Sequence, residues 1–187
     1  MVFDKKAIAV NHTRTSLPAR TSNRIDKFVK HLSYGIAWVY VLLVVVILVQ
    51  VVMRKGFSHG LIALEELQWH LYALGVLFGL AYAETTNSHV RVDILYQHFS
   101  PRAKAWIEII GISLFLFPFV FVVFIHSLDF VYESWRVSER SNAPSGLPFR
   151  WLIKSAIPLA VALLALAGLS KILRSFAQLQ SGGTHGN

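Results

Sequence analysis

The stretch from Glu65 to Asp93, EELQWHLYALGVLFGLAYAETTNSHVRVD, decides how the rest of the chain is read. Two carboxylates open it, a mainly apolar segment runs from Leu67 to Ala83, and a polar cluster from Glu84 to Asp93 closes it. The 17 residues of that segment rise roughly 25 Å as a helix at about 1.5 Å per residue, slightly less than the hydrocarbon thickness of a bilayer. The expectation is a membrane span whose polar flanks lie at the two interfaces.

Composition agrees. Of the 187 residues 55% are hydrophobic and 15% charged, with a mean hydropathy of +0.52, which is the balance of an integral membrane protein. There is no cysteine, so disulfides, thiolate metal sites and a cysteine nucleophile are excluded. The formal charge is +8, and seven of the 18 Lys and Arg residues precede His31. They adjoin an apolar segment rather than building a basic domain, which points to a bilayer surface and not to nucleic acid.

Around the opening stretch three further spans are expected. Leu32 to Met53 carries no charge over 22 residues, and VQVVMRKGF offers no small-residue cleavage site, so this is a retained helix rather than a removed signal. Ile109 to Leu128 is 20 residues without Asp, Glu, Lys or Arg, rich in Phe, and includes Pro118 and His126. The last span covers Trp151 to Leu173, with Lys154 and Lys171 snorkelling from its ends. Residues 1–31 read as a basic, weakly ordered cytoplasmic segment, residues 32–173 as the four-helix membrane domain, and residues 174–187 as a flexible tail. Ser100-Pro101 supplies a helix start, with Ser100 as cap. Lys and Arg are concentrated in the first tail, the Glu84–Glu108 loop and the last tail, which places both termini in the cytoplasm.

Several polar groups are candidates for function. His70 and His126 are the histidines inside spans, and paired histidines on facing helices ligate haem, so a cytochrome-b-like electron carrier is the alternative reading; polar side chains at span ends are more often satisfied by water or a neighbouring helix. Glu65 and Glu66 complement the dipole at the start of a helix, or bind a cation or a basic partner. Glu84 and Gln50 are expected to be solvated. Gly75 and Gly79, four residues apart, leave one helix face nearly bare for close helix contact. In HVRVD an extended backbone puts His89, Arg91 and Asp93 on one face and Val90 and Val92 on the other, an arrangement for docking. No nucleophile, phosphate cradle or metal spacing accompanies it, so catalysis is not expected and neither a metal nor a cofactor is assigned. No span carries a charge at its middle, whereas ion-coupled carriers place such groups near the midplane.

These residues resemble the small integral-membrane subunit, or small permease, of tripartite ATP-independent periplasmic (TRAP) transporters. The likeness covers the EE pair opening the second span, HVRVDILY after it, SPRAKAWIEIIG before the third, and SW, GLP, RW and IPLA between Ser134 and Ala160. Ser88 stands where a glycine commonly precedes the histidine. The resemblance implies a multi-pass protein of the bacterial inner membrane, one of three components of a sodium-coupled importer of organic acids or related solutes. A large permease subunit carries the solute and a periplasmic binding protein captures it, while the small subunit is scaffold without a substrate path. It also implies that Glu65, Glu66, His89, Arg91 and Asp93 are structural or subunit-contact residues.

Overall fold

The computed structural model describes residues 17–57, 60–86 and 99–181, and every regular element among them is helical. Helix α1, Leu17–Ala37, and helix α2, Val39–Gly56, are separated only by Trp38, so together they form one nearly continuous rod. Helix α3 spans Ile62–Thr86. Helix α4, Pro101–Gly111, passes through a π-helical turn at Ile112–Leu116 into helix α5, Phe117–Arg136. The short helix α6, Arg150–Lys154, leads into helix α7, Ala156–Ser181.

Three helical stretches are long and apolar enough to cross a membrane: Leu17–Gly56, Pro101–Arg136 and Arg150–Gln180. Helix α3 is long enough at 25 residues, but Gln68, His70 and its tyrosines dilute its apolar character. It is also sheltered, packing against α1, α2 and α7. The surface is inverted relative to a protein that faces water. Phe115, Phe119 and Phe121 are 73%, 60% and 64% exposed, and along α2 only Val46 and Gln50 are buried. Apolar exposure on this scale is what a lipid environment accepts.

Helix α7 is the hub, meeting α1, α3, α4 and α5. Ala156, Ala160, Leu163 and Ala167 recur at helical spacing on one face and pack against Val29 of α1 and against Phe78 and Ala81 of α3. Small side chains let backbones approach, and dispersion contacts replace the hydrophobic effect that lipid does not supply. On another side Gly168 lies under the π-helical turn, where an added Cβ would come within 2.7 Å of Leu116. That turn precedes Pro118, which lacks the N–H an α-helix needs, and the cap amide of Phe117 bonds instead to Ile112. Ser100 caps α4 as expected, accepting from the Ala103 amide at 3.3 Å with Pro101 in the first turn.

Order begins earlier and ends later than the sequence implies. Pro18 sits in the first turn of α1, where its missing N–H needs no partner. Ser22, Asp26, Val29 and Ser33, spaced four, three and four apart, form the buried stripe of that helix. At the other end α7 continues to Ser181, past the expected boundary at residue 174, because Ser175 is buried within the bundle.

The close-packed face of α7 predicts an asymmetry. Ala167→Leu, driven into Val29 and Phe78, is expected to cost about 1–3 kcal/mol, whereas Ala165→Leu, facing an open groove beside α5, should fall within about 0.5 kcal/mol of the parent. Thermal unfolding in detergent micelles measures both, and equal effects would contradict the packing described.

Candidate functional site

Polar side chains are gathered at two levels of the bundle. At the start of α3, Glu65 accepts from Gln50 Nε2 at 3.3 Å and lies 3.9 Å from Arg54. Gln50 in turn accepts from the Leu61 amide at 3.4 Å, so a buried side chain fastens the end of α2 to the link before α3. The neighbouring Glu66 holds the SNAPSGLP loop. Its carboxylate accepts from the Ser141 hydroxyl and from the Leu147 amide, the latter at 2.7 Å. The loop closes on itself through Ser141 N–H to the Leu147 carbonyl at 3.2 Å and Gly146 N–H to the Ala143 carbonyl at 3.1 Å. Gly146 is required there, because an added Cβ would overlap Ser141 and approach Glu66 Oε2 to 2.9 Å. Beside it, Glu139 pairs with Lys154 and lies 3.8 Å from Arg150, while the Lys154 ammonium sits 3.8 Å over the Phe130 ring.

Electrostatics follow from these partners. The Ser141 hydroxyl, then the Leu147 amide, favour the ionised form of Glu66 and hold its pKa below the usual carboxylate value, with Arg150 and His70 adding to the effect. Glu139 is lowered chiefly by its hydrogen bond from Lys154.

The second level lies at the other end of α3. Glu84 meets Lys171 at 2.7 Å with both side chains nearly buried. Asp26 of α1 accepts from Arg174 and, at 2.5 Å, from Ser170, whose oxygen is 2.8 Å from that of Ser22. Ser175 donates to Glu108 of α4 at 2.9 Å. Every one of these bonds joins two helices. Glu66 and Glu84 are 18 positions apart and Lys154 and Lys171 17 apart, so the two belts are separated by roughly 25–27 Å at about 1.5 Å per residue, close to a bilayer's hydrocarbon thickness.

Of the residues singled out in the sequence, Glu65 and Glu66 join the first belt. Gly75 serves a contact within the chain, since an added Cβ would overlap the Tyr40 ring, whereas Gly79 has nothing within 4 Å and faces open space. His89, Arg91 and Asp93 lie outside the described residues. Gln50 and Glu84, expected to be solvated, are instead bonded and largely buried. His70 and His126 do not form a pair: His126 is exposed on α5, His70 is on α3, and those two helices each lean on α7 rather than packing together. That arrangement lends no support to a haem held between them. The belt partners Asp26, Ser170, Arg174, Ser141 and Leu147 were not legible as a site. The only sequence signals were the 22/26/29/33 stripe of α1 and the turn residues of SNAPSGLP.

Chemically, the belts hold helices at fixed heights. Their charges are met within the chain, and among the described residues no group of three or more His, Asp or Glu converges on a point able to hold a metal. The larger groove, about 560 Å³ between α5 and α7, is lined by Phe117, Phe121, Phe124, Ala165 and Leu169 among others and offers no polar handle.

The family model described as "Tripartite ATP-independent periplasmic transporters, DctQ component" matches residues 43–178. No curated protein and no solved structure matches.

The depressed pKa of Glu66 fixes a pH window. Because the folded value lies below that of an ordinary carboxylate, the stabilisation it brings is complete above the ordinary value and is lost as pH falls through the folded pKa. Hydrogen exchange at the Leu147 amide should therefore be slow at neutral pH and accelerate in acid. In Glu66→Ala it should be fast at both, and protection of Leu147 in that variant would show that the carboxylate does not hold the loop.

Proposed function

The chain belongs to the DctQ component family of tripartite ATP-independent periplasmic transporters, and from that membership we propose that it is a non-catalytic scaffold subunit with no solute path of its own. The observation that carries this reading is the distribution of charge. Leu32–Met53, Leu67–Ala83, Ile109–Leu128 and Ser155–Ser170 contain no Asp, Glu, Lys or Arg, and the acids and bases at the belts are engaged within the chain. A group that binds a solute anion or a coupling ion near the midplane is the usual requirement for carrying it. None is available between the belts. The arrangement instead supports a rigid apolar body whose outer faces suit lipid and another membrane subunit.

In this proposal α3 also crosses, giving four spans with both termini in the cytoplasm and the SNAPSGLP loop on the periplasmic side of a bacterial inner membrane. The excess of Lys and Arg on the cytoplasmic side, carried mainly by the first tail, supports that orientation. A large permease subunit would carry the solute, an organic acid or related small molecule, down a sodium gradient after delivery by a periplasmic binding protein. His89, Arg91 and Asp93 are the residues proposed to meet neighbouring components or to shape the loop that does.

Reconstitution separates scaffold from carrier. Proteoliposomes holding this chain alone should show no sodium-driven uptake of a radiolabelled organic acid, with transport appearing only when the large subunit and binding protein are added. Uptake by the chain alone would refute the scaffold reading.

A further inference from the structure

Where α1 passes into α2 at Trp38, a groove of about 360 Å³ lies against α3. Ser33, Ala37 and Tyr40 line one wall, and Gly75, Gly79 and Tyr82 line the other. Gly79 has no atom near its missing side chain, so the slot stays open at that height. Measured from Asp26 in the second belt, Ser33 is seven residues along the helix and Tyr40 fourteen, or roughly 10 and 21 Å. The groove thus runs along the helix axis through the depth a fatty-acyl chain occupies.

Two further observations say what fits it. Ser33 is only 6% exposed and its hydroxyl has no hydrogen-bond partner among the described residues, although a polar atom at such a depth is normally satisfied. Lys30 precedes Ser33 and Tyr34 by three and four positions, and Lys27 precedes Lys30 by three, so by helical spacing both lysines share the α1 face that lines the slot, one and two turns nearer the second belt. Neither forms an ion pair among the described residues, whereas Lys154, Lys171 and Arg174 all do. A chain-wide slot, a hydroxyl one turn inside it and two ammonium groups toward its entrance, none of these polar groups paired among the described residues, are arranged in the order of acyl chain, ester carbonyl and phosphate.

We infer that the groove between the α1–α2 junction and α3 is a binding site for one anionic phospholipid, with Lys27 and Lys30 on the headgroup, Ser33 on an ester oxygen and an acyl chain along Gly79. The lipid fills what would otherwise be a void beside the rod and fastens α1 at the leaflet surface. A zwitterionic lipid offers the same chains and esters without the net charge, so it should enter more weakly. A helix of the large subunit is the competing occupant, but it would present neither the anionic group at the mouth nor a reason for two unpaired lysines there. The assignment requires a membrane-embedded chain and is independent of the transport reading.

Native mass spectrometry of the full-length chain, stripped of lipid in detergent and titrated with phosphatidylglycerol or phosphatidylcholine, tests it. The expected result is one phosphatidylglycerol bound more tightly than phosphatidylcholine. Lys27→Gln/Lys30→Gln should weaken phosphatidylglycerol by about 25-fold, roughly fivefold per lysine, and leave phosphatidylcholine unchanged. The same double change at Arg54 and Lys55, beside the opposite belt, should alter neither. Filling the slot with Gly79→Leu should abolish retention of both lipids; should that variant not fold, Ala37→Leu on the facing wall gives the same reading. No preference for phosphatidylglycerol overturns the inference, as does a preference that survives the lysine changes. Lipid retained by both filled variants also overturns it. So does loss of lipid on addition of the large subunit, which would make the groove a subunit seat.

Discussion

Hydrocarbon gives a polar group nothing to bond to, and the whole structure answers to that constraint. All regular backbone among the described residues is helical, so its amides and carbonyls are satisfied locally. Side chains that need polar partners are moved to two levels, where they find them on neighbouring helices. What lies between is packed by small residues on one helix face and exposed to lipid on others. The distance between the levels, roughly 25–27 Å by helical rise, links helix length to bilayer thickness in one dimension of the molecule.

The belts also hold the helices in register. Glu84–Lys171, Asp26–Arg174 and Ser175–Glu108 tie α3, α1 and α4 to α7 at one height. Glu65 and Glu66 tie α2 and the SNAPSGLP loop to α3 at the other. Breaking one partner of a buried pair leaves an uncompensated charge, so these links are more costly to lose than exposed ion pairs. Their burial differs: the Glu84 and Lys171 side chains are about one-tenth exposed, whereas Glu65 is half exposed. The Glu84–Lys171 link is therefore firmer than the link through Glu65.

Much of this was legible before any coordinates. Uncharged runs announced three of the long helices, Ser100-Pro101 announced the start of α4, and the EE pair marked the entrance to α3. Periodicity failed where polar residues do structural work in the bundle. Ser22, Asp26 and Ser33 look like the surface of a tail until α7 is placed beside them, because a helix that buries serines and an aspartate has no apolar stripe to betray it. The same reasoning hid Glu84, whose partner Lys171 lies 87 positions away. Glu66 was visible as a helix-opening acid, yet nothing local shows that a loop 75 positions later wraps it. Gly75 and Gly79 looked alike in sequence. Only the Tyr40 ring of α2, which lies over the first and leaves the second open, separates their surroundings.

The central claim is that the two polar belts lie at opposite faces of a membrane, and the absence of cysteine from the chain makes it directly measurable. Single substitutions Asn23→Cys, beside the second belt, and Ser145→Cys, in the loop held by Glu66, can be challenged in intact cells with a membrane-impermeant maleimide. The account predicts that Ser145→Cys reacts from outside and that Asn23→Cys reacts only after the membrane is opened. Labelling of both positions from the same side would contradict it.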